Sequence, residues 1–314
     1  SIKCNLLNKS FLNLILVFLT LNVFSQDDTA VIDSFISYDA IIESQEGGKR
    51  MKYSGMTNFT FNQAYFENWI SGGESSLNGL LGVDYNLNYS NRKGLVWDTN
   101  LMLTVGTTYL SSNSFFRKAD DRFEMNSLIG SQINQYWNYS GYLNFKTQLL
   151  PGFRYFKENG EDKKEKISRI FSPTIVQIGL GWYYKKSDDI WVNISPLASR
   201  GIFVGKTYTE NLALGQKYFG VERGKTSNVS IGASLTGRYK TEIMDNITIV
   251  NRFNFYVNYI EKIQNIDFEW NTKFLLRVNK KISTNLVFHI QYDDDLVNKL
   301  QIRELFGLGL SVDL

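Results

Sequence analysis

The stretch Phe306-Gly-Leu-Gly-Leu-Ser-Val-Asp-Leu314 alternates without a break. Phe306, Leu308, Leu310, Val312 and Leu314 fall on one face of an extended chain, and Gly307, Gly309, Ser311 and Asp313 on the other. Side chains along a strand alternate with period 2, so one face is wholly apolar and the other small and polar. A soluble sandwich strand can carry this pattern too. Here the sequence ends on it and the pattern recurs further back, as expected of a transmembrane β-barrel closed by its C-terminal strand.

The clearest earlier copy is 76–89, where Leu77, Gly79, Leu81, Val83, Tyr85, Leu87 and Tyr89 alternate with Ser76, Asn78, Leu80, Gly82, Asp84, Asn86 and Asn88. Strands are expected at about 56–65, 76–89, 97–109, 120–134, 137–150, 172–185, 190–204, 226–240, 246–259, 267–279, 282–293 and 301–314. The predicted fold is all-β, a single 12-stranded antiparallel transmembrane barrel of outer-membrane type over residues 56–314. An even number of strands brings both ends to one side. Connections after even strands are short, around Arg92, Gln135, Ser187, Met244 and Lys280. Those after odd strands are mostly longer, notably Pro151 to Phe171 and Gly205 to Lys225. Short periplasmic turns and long external loops are the asymmetry such barrels have. Pro151, Pro173 and Pro196 are placed on the loop side, since proline is costly in mid-sheet. Trp97, Trp137 and Trp182 fall near the short-turn ends, and Trp270, Tyr109, Tyr259 and Tyr292 near the long-loop ends. Two such belts suit the two membrane interfaces.

Residues 1–25 read as a secretory signal peptide, with Lys3 and Lys9 before an apolar core from Phe11 to Phe24 and cleavage before Gln26. That core is shorter than the about 20 residues a helical span needs. Residues 26–55 are mixed and read as a periplasmic extension, a plug in the lumen or an irregular first strand. Cys4, the single cysteine, lies before the apolar core, so no lipid anchor, disulfide or thiol chemistry is expected in the mature chain. A formal charge of +3 is too small to argue for nucleic acid. The expected location is the bacterial outer membrane.

The segment Asn68-Trp69-Ile-Ser-Gly72-Gly73, followed by Ser76-Leu-Asn-Gly79, resembles an uncharacterised outer-membrane family common in Bacteroidota, the domain of unknown function 3078. The segments Phe145–Gln148, Ile194–Leu197 and Asn211–Gly215 and the final Gly-Leu-Gly-Leu add to the resemblance, which spans about 56–314. It implies a barrel and a bacterial group. It implies no activity and no catalytic residue.

Charges on a lipid face are expensive, so the inward parity should collect them. The candidates lining the lumen are Arg122, Glu124, Lys146, Arg238, Arg252, Glu269, Lys273, Arg277 and His289, with Asp293 beyond. Folding about Lys262 and about Lys280 would bring Arg252, Lys273 and His289 together as a basic strip at mid-barrel, because opposed residues sit only about 5 Å apart. Glu124 should likewise meet Lys146. A cationic constriction would favour anions. The plainer reading is that these charges solvate and knit a polar interior. His289, the one histidine, lacks a nucleophile or an orienting partner at catalytic spacing. No enzyme activity, cofactor or metal is expected. Asp293-Asp294-Asp295 lacks the glycine and glutamate spacing of a calcium loop.

The reading that follows is a pore or carrier for small solutes, with anions favoured. The alternative is a non-enzymatic accessory subunit of an outer-membrane assembly or secretion complex. Expected partners are outer-membrane lipid, the barrel assembly machinery through the C-terminal strand, and other outer-membrane proteins.

Overall fold

The structure, a computed structural model, describes residues 37–46, 49–65, 75–112, 115–261, 263–264, 266–277, 282–293 and 297–313. The signal peptide and the motif residues Asn68, Trp69, Gly72 and Gly73 lie outside them. The described chain is strand almost throughout. It begins with β1 (Ser37–Glu46), β2 (Lys49–Ala64), β3 (Ser76–Asn91), β4 (Leu95–Leu110), β5 (Arg117–Gln132) and β6 (Trp137–Thr147). There follow β7 (Gly152–Glu158), β8 (Glu161–Ser168), β9 (Thr174–Lys185), β10 (Ile190–Phe203), β11 (Lys217–Tyr218) and β12 (Val221–Glu222). The last are β13 (Ser227–Met244), β14 (Ile247–Asn258), β15 (Ile266–Arg277), β16 (Ile282–Asp293) and β17 (Val297–Asp313).

One large curled sheet takes most of them, in the order β1-β17-β16-β15-β14-β13-β10-β9-β6-β5-β4-β3-β2. Each expected strand has its counterpart, from β2 to β6, β9, β10 and β13 to β17. Their pairings are all antiparallel. The long connections carry hairpins of their own, β7-β8 and β11-β12.

Of the three readings of residues 26–55, the described part from Ser37 takes that of a strand: β1 joins the sheet, and β2 begins at Lys49. The register places Glu43 opposite Lys52 and Glu46 opposite Lys49. Adjacent Ile41 and Ile42 hide the alternation in the sequence. On its other side β1 meets β17 in parallel, over Ser37↔Ser311, Tyr38↔Val312 and Asp39↔Asp313. Beyond that short contact no ladder joins β2 to β17 among the described residues.

One expectation is corrected: Pro196 lies inside β10 and not at its end. A bulge between Ser195 and Ala198 absorbs it, since proline cannot donate to a ladder. Its carbonyl accepts a hydrogen bond from the Tyr259 hydroxyl at 2.8 Å. Pro151 and Pro173 do lie outside strands.

Short turns are built from their own side chains. The Asn91 carboxamide oxygen accepts from the Lys93 and Leu95 amides at 2.9 and 3.0 Å. Gly94 closes that turn at φ +78°, which a side chain rarely adopts. The Ser187 hydroxyl accepts from the Asp189 and Ile190 amides in the same way.

The two faces of the sheet invert the arrangement of a soluble protein. Ile129, Tyr139, Ile178, Leu180, Ile194, Val229 and Ile231 are exposed. So are Trp97, Trp137, Trp182, Trp270 and Tyr259 near the strand ends. Asp98, Asn100, Glu124, Asn138, Asn144, Gln177, Asn193, Thr236 and His289 are buried. Buried apolar side chains form only two small clusters among the described residues, Leu128-Tyr142-Tyr183 and Ile202-Val204-Val221.

Candidate functional site

Alternation sends a set of charged side chains of the strands inward, where they meet across the curl of the sheet. The central node joins β5, β6, β15 and β16. Glu124 and Lys146 are directly opposed, as expected, with Nζ and Oε1 4.0 Å apart. Glu269 from β15 is the hub. It pairs with Arg122 and Lys146, and its Oε1 lies 2.7 Å from His289 Nε2. Arg122 also pairs with Glu124 and approaches His289 Nδ1 at 3.0 Å. Asn126 and Asn144 donate to Glu124 Oε1 at 2.9 and 3.0 Å. Tyr142 supports them through Asn126. In the order of the sheet β5 and β15 are far apart, so these contacts cross the interior.

A second crossing joins β3 to β13 and β14. Arg252 grips Asp84 with both terminal nitrogens, at 3.0 and 3.2 Å. Arg238 donates to Asn86 at 2.8 Å, and Asn100 donates to both Asp84 and Asn86. Further toward the long connections, Arg200 reaches Asp267 at 2.9 Å and pairs with Asp293. Arg303 pairs with Asp120.

The expected basic strip is not there. Arg252 stands opposite Asn271, and Asn271 opposite His289. Both hairpins turn about one residue earlier than assumed, so Asn271 takes the place given to Lys273, which faces Val250 and Val287. Arg252 and His289 each have a carboxylate, Asp84 and Glu269. The interior is charge-balanced, and the inference of anion preference from a cationic strip falls with it. Arg277 is exposed at the end of β15, away from the node.

Several interior residues were not singled out from the sequence. Asp84, Asp98, Asp120, Asn144 and Arg303 have inward parity, so that signal was present. Arg200 is different. The bulge at Pro196 adds a residue to β10, so Leu197 points out and Ala198 in. Counting by twos from Asn193 puts Arg200 on the wrong face.

At the short-turn end Asp98, only 8% exposed, accepts from Asn88, the Tyr183 hydroxyl and Lys185, each at 2.6 Å. Lys185 also lies 3.0 Å from Asp188, in the turn, which takes Arg50 at 3.2 Å and Lys52 at 3.9 Å as well. Burial pushes the Asp188 carboxyl up, but Lys185, with Arg50 and Lys52 behind it, outweighs burial and holds it below the ordinary 3.8. A group lowered on folding contributes stability that is full above its unfolded value and fades as pH falls through the folded one. The stability lost in Asp188→Asn is therefore expected to be constant well above the ordinary carboxylate range and to fade as pH falls through and below it, by urea unfolding across pH. A difference that grew toward low pH would contradict this assignment.

Cavities flank the central node. One of about 280 Å³ lies against Asp84, Arg122, Arg252 and Lys273. Another of about 400 Å³ lies against Asp120, Arg122, Glu269, His289 and Arg303. A smaller one of about 120 Å³ touches Lys146, Arg200, Asp267 and Glu269. Arg122 and Glu269 thus stand as a partition between spaces. Among the described residues no three His, Cys, Asp or Glu side chains cluster as metal ligands.

An all-β fold of barrel type, apolar outside and ionic inside, is the class these features define. Residues 61–153 match the model of a family described as a protein of unknown function, DUF3078. That match lies within the span of the resemblance drawn from the sequence. No curated protein matches. Among solved structures, the siderophore receptor PirA from Pseudomonas aeruginosa aligns at 9% identity and a TM-score of 0.28, over 83% of this chain and 50% of the receptor. The chain spans half the length of that receptor.

Proposed function

We propose that this protein is an integral outer-membrane β-barrel, exported by residues 1–25, that passes small solutes through an interior held shut at rest. The inverted faces support the membrane reading: an exposed apolar belt around buried ionic residues is what a bilayer selects. An open sheet edge leaves amide and carbonyl groups unpaired in hydrocarbon. In the bilayer, therefore, β2 and β17 close on each other and twelve antiparallel strands make the wall, with β1 as a short thirteenth at the seam. Insertion would use the barrel assembly machinery and the C-terminal strand.

The observation that carries the transport reading is the partition at Arg122 and Glu269, with cavities on either side. Twelve strands leave more room than the side chains of an eight-stranded barrel fill. Contacts that cross such an interior are a closure that can open. The balanced charges favour no sign of solute in the closed state. Planar-bilayer recording tests this: the wild type should show rare, brief openings, and disruption of the node should make them frequent. Complete silence of both would leave the second reading, an accessory barrel of an outer-membrane complex, which the densely knitted interior also supports. No side chain is assigned a catalytic role.

Glu304 gives an independent check of the lipid-facing side. It lies on the outward face between exposed Ile302 and Phe306, opposite Phe288. An acidic side chain there costs less than a basic one but still costs. Glu304→Leu is expected to raise stability in lipid vesicles by about 1 kcal/mol. A loss of stability would mean that this face meets water or a partner.

A further inference from the structure

Three features of the cavity of about 400 Å³ beside the Arg122–Glu269 partition bear on what it can hold. The first is charge. Asp120 is paired with Arg303, Glu269 with Arg122 and Lys146, and Asp121 with Lys118. Each Asp, Glu, Lys and Arg side chain of the described lining therefore meets an opposite charge, and an ion entering the cavity finds no unbalanced one. The second is an unmet donor. Gln301 lines the cavity, and its Nε2 is enclosed with no acceptor among the described residues. Native chains rarely keep a buried donor in that state. Gln291 stands directly opposite on β16 and lines the same cavity. Two opposed carboxamides offer donors and acceptors together.

The third feature is Phe219. It sits in the two-residue turn of the β11-β12 hairpin, where Tyr218 faces Val221. Both turn residues have positive φ, +49° at Phe219 and +76° at Gly220. Such a turn favours Asn or Gly at its first position, and a bulky side chain there is a backbone outlier. The turn has no need of a ring, yet the ring it carries lines the cavity. The hairpin is braced in place. Tyr218 stacks on Tyr208, its hydroxyl donates to the Ile167 carbonyl at 2.7 Å, and its ring meets that of Phe219 edge to face at 4.7 Å.

We propose that this cavity binds a neutral sugar, with one pyranose ring against Phe219 and its hydroxyls on Gln291 and Gln301. This rests on the transport reading and names the class of its solute. A hydroxyl donates and accepts at once, so it matches carboxamides and ions that are already paired. A charged solute would have to break a pair to find a partner. The face of a pyranose that carries only C–H bonds is apolar and suits an aromatic ring. A flat base could lie on Phe219 as well, but its polar atoms are confined to one plane. Here the polar side chains come from both sides of the cavity, Asp120 on β5 and Gln291 and Gln301 on β16 and β17.

The test uses the full chain in detergent, titrated with glucose, galactose and maltose, and with sodium gluconate and uridine as competitors of other classes. Saturation-transfer difference NMR reads the binding. At least one sugar should bind at about millimolar strength, since a site on a path must also release its solute. Its affinity should be the same at low and high salt. Phe219→Asn installs a residue the turn favours and should weaken that sugar by about fivefold to tenfold. Gln301→Met removes an unsatisfied donor, so it should weaken the sugar by about fivefold with an unchanged or raised unfolding midpoint. A merely structural Gln301 would lower the midpoint and leave binding alone. The proposal is overturned if no sugar binds, if gluconate or uridine binds more tightly, or if both variants bind like the wild type. If Phe219→Asn fails to fold, Gln301→Met decides alone. Sugar passage is scored separately, by swelling of vesicles that hold Glu269→Ala. Swelling without binding fails here only, whereas binding without swelling keeps the site and removes the transport reading beneath it.

Discussion

Glu269→Ala is expected to raise the open probability in planar bilayers by about tenfold or more, and to make the current anion-selective. Glu269 neutralises Arg122 and Lys146 and lies against His289 as well. Its removal leaves Arg122 and Lys146 side by side on the neighbouring strands β5 and β6, with Glu124 as the nearest remaining carboxylate. Breaking a buried ion pair costs about 3–5 kcal/mol in the closed arrangement. A bias of only about 1.4 kcal/mol toward the open one already gives tenfold. Arg122→Ala acts on the same node with the opposite sign. It leaves Glu124 and Glu269 against Lys146, so the opened path should prefer cations. Glu269→Gln keeps an acceptor without the charge and should fall between wild type and Glu269→Ala. The reversal of selectivity is the decisive readout, because loss of packing alone would open the path without choosing a sign. Two silent variants would make the node structural and remove the transport reading.

The fold was legible because one physical rule governs nearly all of it. A sheet with one apolar and one polar face must alternate, and sequences such as Leu77 to Tyr89 state the rule along their length. Glu124 and Lys146 could be paired because a four-residue connection fixes their register. The failures come where a short, local departure shifts everything after it. One residue in each of two hairpin turns displaced Lys273 from the strip assigned to it. One extra residue at Pro196 moved Arg200 from the outer face to the inner. Parity survives a two-residue slip but not a one-residue bulge, since a single step sends every later side chain to the other face. The contacts across the interior, such as Arg252 with Asp84, were out of reach for another reason. They depend on which strands face each other when the sheet curls, and no short-range pattern records that.

Asp98→Ala should cost about 3 kcal/mol of stability, the low end of the range for a broken buried pair. Asp98 is where three donors converge, and one of them, Tyr183, is fully enclosed at 0% exposure. The alanine leaves the Tyr183 hydroxyl and the Asn88 amide with no acceptor at the place they point to. A buried polar group stranded in this way costs about 1–3 kcal/mol. Lys185 suffers less, because Asp188 remains beside it at 3.0 Å, and this second partner limits the cost. Asp98→Asn keeps one acceptor oxygen for the hydroxyl and should cost about half as much. An exposed pair sets the scale: Lys163 and Glu158 in the β7-β8 hairpin are both solvated, so Lys163→Ala should change stability by less than about 1 kcal/mol. Urea unfolding in lipid vesicles ranks the three. If Asp98→Ala cost no more than Lys163→Ala, the short-turn end would be wet, and water would be supplying the bonds that Asp98 supplies here.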